Sequence, residues 1–104
     1  MPDVDVFTAL ASPTRRKILE LLGSEPCTVN SLVERFQQNR PGISEHLQVL
    51  RNARLVRDER RGRERYYHIR PERLVEVYDW LRIFERYWRK RLTALEELLD
   101  REHP

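Results

Sequence analysis

From Pro71 the chain runs to Pro104 without another Gly or Pro, and the apolar residues Leu74, Val77, Leu81, Phe84, Trp88, Leu92, Leu95 and Leu99 punctuate that run. Their steps are 3, 4, 3, 4, 4, 3 and 4, a helical seam with one irregular step. The pattern predicts one long helix over about 71–102. Roughly 30 helical residues extend about 45 Å, whereas a compact chain of about 100 residues has a radius of gyration near 13 Å. Such a helix outruns its own domain, and its apolar stripe needs a partner. A second copy under two-fold symmetry is the simplest one. The other solution is a kinked or broken helix folded back on its own core.

The 104 residues fit a single domain, 1–104, with a small core. The composition, 39% hydrophobic and 36% charged, is too apolar for disorder and unusually charged for an ordinary globule. The net charge is only +3, so the distribution of charge carries the argument. Residues 51–73 hold nine arginines (51, 54, 57, 60, 61, 63, 65, 70 and 73) against four acids (58, 59, 64 and 72). A basic concentration of this kind suits a polyanion; read blandly, it is a solvated face. A single cysteine, Cys27, excludes an intrachain disulfide framework. No apolar stretch has the length of a signal h-region or a membrane span. The expectation is a cytoplasmic protein with no membrane partner.

Along the chain, Asp3 is placed to cap a short helix carrying Val6, Phe7 and Leu10. Ser12-Pro13 reads as a helix start, with Ile18, Leu19 and Leu22 as the stripe and Gly23 as the stop. Thr28 can cap a third helix bearing Val29, Leu32, Val33 and Phe36. After Gln37-Gln38, Asn39 can cap a fourth. Two strands, 55–60 and 64–69, flank Arg61-Gly62-Arg63, where Gly62 can take the positive φ of a hairpin. Two helices across a short turn followed by a basic hairpin make a mainly α fold with a two-stranded β wing: a winged helix-turn-helix. Leu81, Phe84, Trp88, Leu92, Leu95 and Leu99 are the expected seam between two copies.

The fourth helix, 40–53, carries Ile43, Leu47 and Leu50 on one side and Pro41, Ser44, Glu45, Gln48 and Asn52 on the other, with Arg40 at its tip. The free N–H groups and positive dipole end of its first turn suit a phosphate. Arg40 can pair with guanine O6/N7, Glu45 can accept from cytosine N4 and Gln48 can reach adenine. Pro41 and Gly42 keep the tip slim enough for a major groove, and Ser44 suits a phosphate or a base edge. His46, at the margin of the apolar side, reads as packing or as a phosphate contact. Arg51 lies at the far end of the same helix and joins the DNA-binding set. At the hairpin tip Arg61 and Arg63 can follow the backbone or enter an adjacent minor groove, and Tyr66 can hydrogen-bond a phosphate.

These residues carry a family likeness. "ALASPTRRKILELL", "NRPGISEHLQVLRNARLV", "RRGRERYYHI" and the tail "WLRIFERYWRKRLTALEELL" together resemble the ArsR-type winged-helix transcriptional regulators over about residues 5–100. The resemblance implies a dimeric repressor of promoters, dimerising through its terminal helices, which adds Val6, Phe7 and Leu10 to the interface with Leu81, Phe84, Trp88, Leu92, Leu95 and Leu99. It implies the reading role for Arg40, Pro41, Gly42, Ser44, Glu45 and Gln48, and the wing role for Arg61 and Arg63. Two departures stand out. Arg54 occupies a position where the family usually has Gly, and Arg40 replaces a usual Gln.

Many such regulators sense metals, but their ligands have no counterpart here. The helix before the reading helix, "TVNSLVERF", has no Cys, and the last helix has no His before His103. A lone thiolate at Cys27 is a poor soft-metal site, so no metal and no cofactor are expected; a redox role for this thiol is the sharper alternative to a small buried hydrophobe. His68 reads as a partly exposed strand residue. No nucleophile, base and orienting group recur in an enzymatic pattern, and no Gly-rich phosphate loop is present. The leading reading is a sequence-specific dimeric DNA-binding repressor that reads an inverted repeat in double-stranded DNA, with no effector identified. The competing one is a protein-interaction or small-effector-binding module that uses the aromatic C-terminal helix.

Overall fold

A computed structural model describes residues 3–102; His103 lies outside them. Helix α1 spans Val6–Leu10 and is capped by Asp5, whose Oδ2 accepts from the Thr8 amide at 3.2 Å. Asp3, expected as the cap, lies two residues too early and instead faces Arg54 and Arg73, each at 3.5 Å. Helix α2, Pro13–Ser24, starts as expected, with Ser12 Oγ accepting from the Arg15 amide at 3.2 Å. Gly23 does not stop it. Its φ is not positive, and the helix runs to Ser24 before extended Glu25 and Pro26 end it. Helix α3, Val29–Phe36, is capped by Thr28 and ends at Gln37, whose left-handed φ of 49° makes the tight turn. Helix α4, Arg40–Asn52, is capped by Asn39, whose Oδ1 accepts from the Gly42 amide at 2.8 Å.

Past α4 the chain turns at Arg54, whose φ of 61° is the left-handed conformation that Gly tolerates best. An arginine in this conformation is therefore strained. Arg54→Gly is expected to raise stability by up to about 1 kcal/mol, since the exposed Arg54–Asp3 pair that is lost contributes little. For a domain of this size that is a Tm increase of about 4–8 °C; a melt with Tm unchanged or lower would contradict the strain.

Strands β2 (Val56–Arg61) and β3 (Glu64–Ile69) pair antiparallel from Val56 opposite Ile69 to Arg61 opposite Glu64, and Gly62 turns the hairpin at φ 63°. The wing is not only two-stranded. A two-residue strand, β1 (Cys27–Thr28), joins the free edge of β3, placing Cys27 opposite Tyr67 and Thr28 opposite Tyr66. The sheet order is β1-β3-β2. β1 therefore ties the root of the hairpin to the start of α3.

The core gathers apolar residues from α1 to β2. Ile43, Leu47 and Leu50 commit one whole side of α4 to it at 0%, 1% and 0% exposure. Val6 is also fully enclosed by its own chain, which leaves it no surface to offer a partner and removes it from the dimer interface. Leu10 is half-buried against the same core.

The tail is not one helix. A 3-10 turn (Pro71–Leu74) leads into α5, Val75–Arg82, and then, after a break, α6, Glu85–Glu102. At the break the amides of Ile83 and Phe84 reach back only three residues, to Trp80 O and Leu81 O, and four-residue spacing returns when Trp88 donates to Phe84 O. The break coincides with a change of partner. Trp80 of α5 meets Phe7 of α1 edge-on at 5.6 Å, and Phe84 at 5.3 Å. Beyond that cluster no residue of α6 is buried. The radius of gyration is 17.9 Å, against about 13 Å for a compact chain of this length. The tail thus leaves the body of the domain even though it is broken. No helix among the described residues is long and apolar enough to cross a membrane.

Candidate nucleic-acid interface

With its apolar side spent on the core, α4 turns Arg40, Pro41, Ser44, Glu45 and Gln48 to solvent. Gly42 is half-buried beside them. A Cβ there would sit 3.1 Å from the capping oxygen of Asn39, so any larger residue presses on the cap that starts the helix. Gln48 is steadied by donating to Asn52 Oδ1 at 3.2 Å. His46 does not belong to this row. It is half-buried and faces α2, with Nδ1 3.3 Å from Arg15 Nη1. A guanidinium only donates, so Nδ1 accepts in this contact and the neutral ring carries its proton on Nε2. Arg15 in turn donates to the carbonyls of Ala9 (2.7 Å) and Thr8 (3.1 Å), closing the C-terminal end of α1. His46 is thereby a packing residue joining α4 to α1 and α2.

The tip of α4 meets the wing. A cleft of about 140 Å³ is lined by Thr28, Val29 and Asn30 of the β1–α3 junction, by Arg40, and by Arg63, Glu64 and Arg65 of the hairpin. The Arg40 guanidinium donates to Asn30 Oδ1. Arg40 and Arg63, which lie 23 positions apart, therefore converge. Asn30 and Arg65 were not singled out from the sequence. The basic run signals Arg65 only in bulk, and nothing local marks Asn30.

Most of the arginines counted in 51–73 are paired. Arg51 Nε lies 3.4 Å from Asp58 Oδ1, and Arg61 Nε lies 3.2 Å from Glu59 Oε1. The Arg61 hydrogen bond, followed by its charge, holds the Glu59 carboxyl below its ordinary range. The Arg61 guanidinium also lies 5.3 Å from the centre of the Tyr66 ring. Tyr66 donates its hydroxyl to Glu64 Oε2 at 3.1 Å, and that hydrogen bond together with the carboxylate's charge pushes the phenol pKa up. Arg54, Arg57, Arg65 and Arg73 have acidic partners as well. Among the described residues of this stretch, Arg60, Arg63 and Arg70 have no ion pair. Arg63, at the wing tip, is the one beside the α4 tip. Pairs exposed on both sides, such as Arg57–Glu59 and Arg61–Glu59, are worth about 0–1 kcal/mol, so phosphates can displace them.

Cys27 is buried, its thiol directed at the Glu25 carbonyl at 3.5 Å. Burial first, then the Glu25 charge, raises its pKa, the opposite of what a reactive thiolate needs. Among the described residues no group of three or more His, Cys, Asp or Glu is placed to hold a metal ion.

A helix-turn-helix whose second helix shows a polar row to solvent, beside an arginine-tipped hairpin, defines a winged-helix regulator. The model of the bacterial regulatory protein arsR family matches residues 12–58. The chain is 38% identical over 77 residues to the transcriptional repressor SdpR of Bacillus subtilis (strain 168), covering 74% of this chain and 86% of SdpR. It is 39% identical over 96 residues to the HTH-type transcriptional regulator Rv2034 of Mycobacterium tuberculosis, covering 92% of this chain and 87% of that one. Its fold is similar to the homodimeric winged helix-turn-helix DNA-binding domain of Mb0332 from Mycobacterium bovis, a possible ArsR-family transcriptional regulator, with a TM-score of 0.63 and 29% identity over 77% of this chain and 74% of that one. The chain belongs to the ArsR family of bacterial regulatory proteins. These relatives are named as transcriptional regulators, not as enzymes.

Proposed function

We propose that the protein is a homodimeric repressor that reads an inverted repeat, with α4 in the major groove, the β2–β3 hairpin against the neighbouring backbone or minor groove, and α5–α6 pairing two copies. The observation that carries this reading is the division of α4. Its apolar side is fully spent on the core, while its polar side stays exposed at a cleft shared with the wing arginine Arg63. The reading is supported by SdpR, a repressor, and by the homodimeric Mb0332 domain. Two reading helices about 34–36 Å apart match half-sites one helical turn apart. Selection of bound duplexes from a random pool tests binding, symmetry and spacing together: a palindromic consensus is expected, and recovery of no consensus overturns the proposal.

Arg40 is the sharpest single probe. Arg40→Ala is expected to weaken binding to the selected site by about 1–3 kcal/mol and to relax one base position. Its bond to Asn30 is exposed, so the loss in fold stability stays small. Unchanged affinity and an unchanged footprint would show that Arg40 reads nothing.

A further inference from the structure

Asp58 is an acid on a face otherwise suited to a polyanion. It is the third residue of β2, and its carboxylate is divided between two elements. Oδ1 lies 3.4 Å from Arg51 Nε on α4, and Oδ2 lies 2.5 Å from Arg65 Nη1 on β3. The Asp58 side chain is only 12% exposed, whereas both arginines are about half exposed, at 51% and 49%. A largely buried carboxylate is tolerated when it is paired on both oxygens. Among the described residues, Arg51–Asp58 is the ion pair that joins α4 to the hairpin. Arg65 extends the connection to the cleft it lines with Arg40 and Arg63. The neighbouring acid Glu59 behaves differently: its partners Arg57 (3.7 Å), Arg61 (3.2 Å) and His68 (3.2 Å) all lie within the hairpin itself.

We propose that Asp58 is the positioning residue that latches the wing to the reading helix, and that through this latch it sets the ratio of specific to non-specific DNA binding. The inference rests on the DNA-binding reading above. With the latch closed, seating the α4 tip in one groove fixes where the hairpin tip lands, and only a duplex that satisfies both contacts is held tightly. With the latch open, the hairpin root stays held by β1 and the core but its tip is fixed less closely relative to α4, and two guanidiniums become free for phosphates of any sequence.

The test compares Asp58→Asn, Asp58→Glu and Glu59→Gln with the parent protein, titrating the selected operator and a random duplex over a series of salt concentrations. Asp58→Asn is expected to lower the specificity ratio about tenfold, the scale of coupling in a paired network, and to steepen the salt dependence by about one unit of slope. Glu59→Gln, which frees charge without crossing elements, is expected to steepen the slope and keep the ratio. Asp58→Glu, which keeps the charge, is expected to keep both. A purely structural role for Asp58 would lower the melting temperature and leave ratio and slope alone, and that result overturns the proposal. If Asp58→Asn does not fold, Arg51→Gln opens the latch from its exposed side. A lost phosphate contact weakens all sequences alike, so a fallen ratio supports the latch and an unchanged ratio overturns it. A parent protein that does not discriminate between the two duplexes fails the DNA-binding reading and the latch with it. A parent that discriminates, with an Asp58→Asn variant that discriminates equally, fails the latch alone.

Discussion

On the proposed pairing of two copies through α6, replacing Leu92 with Glu is expected to convert the protein to a monomer and to abolish tight operator binding. Leu92 is at the middle of the α6 stripe, where Trp88, Leu92, Leu95 and Leu99 are 48%, 56%, 50% and 47% exposed in the single chain. Full burial of each such side chain is worth about 1.5–3 kcal/mol, and two-fold symmetry counts every one of them twice. A carboxylate in the centre of that seam also enters twice, facing apolar surface with no partner charge. The dimer dissociation constant should therefore rise at least a hundredfold or so. A monomer engages one half-site only. Without the tether between half-sites its operator affinity should fall by about 10²–10⁴. Because no residue of α6 is buried, the remaining domain should stay folded, with a melting temperature lowered by the stabilisation that pairing supplied. Light scattering after size exclusion, with operator titration on the same samples, checks both parts. A Leu92→Glu protein that still elutes as a dimer places the seam elsewhere.

The parts of this fold that were legible in the sequence are those whose physics is local. The caps at Ser12, Thr28 and Asn39 each need only a hydroxyl or amide oxygen three residues before an open amide, and each formed as expected. The buried side of α4 followed from a 3.6-residue period sustained over two turns, from Ile43 to Leu50. The positive φ at Gly62 followed from hairpin geometry. What failed depended on the rest of the molecule. Asp3 and Asp5 are equivalent as residue types, and Asp5 caps because the helix starts at Val6, a start the apolar pattern alone did not fix; Asp3 is left to face Arg54 and Arg73. Strand β1 is two residues long, too short to show alternation, and exists because β3 offers it an edge. The break at Ile83–Phe84 has no Gly or Pro to announce it; it falls where α5 ends its packing against Phe7 and α6 begins with nothing from its own chain to pack on. The site shows the same divide. Arg40, Ser44, Glu45 and Gln48 could be placed on one helical face by counting, and they are exposed there. His46 was lost to that face because Arg15, 31 positions away, holds it toward α2. The pairing of Arg51 and Arg65 with one carboxylate depends on the tertiary register of α4 against β2, which no local pattern encodes.

Leu47 and Gln48 are adjacent on α4 and should separate fold from function when each is truncated. Leu47 is 1% exposed and packed in the core cluster. Leu47→Ala removes buried methyl and methylene groups and leaves a cavity that close-packed neighbours fill only in part, at a cost of about 2–5 kcal/mol. Against a typical total of about 5–15 kcal/mol, that is a large share of the stability. Gln48→Ala removes an exposed amide whose one bond is to Asn52 at 3.2 Å, so its effect on stability should stay within about 0.5 kcal/mol. The DNA result should run the other way. At a temperature where both variants are folded, Leu47→Ala keeps the chemistry of the reading face and should keep the base preference. Gln48→Ala should instead lose discrimination at one base position, at a cost of about 1–3 kcal/mol. Urea titrations at a single fixed protein concentration, needed because the proposed dimer ties stability to concentration, measure the first contrast; binding to a panel of single-base operator variants measures the second. A Leu47→Ala loss below about 1 kcal/mol would mean that α4 is not anchored where its apolar side places it, since a collapsed or hydrated site is the only way to avoid the cavity cost.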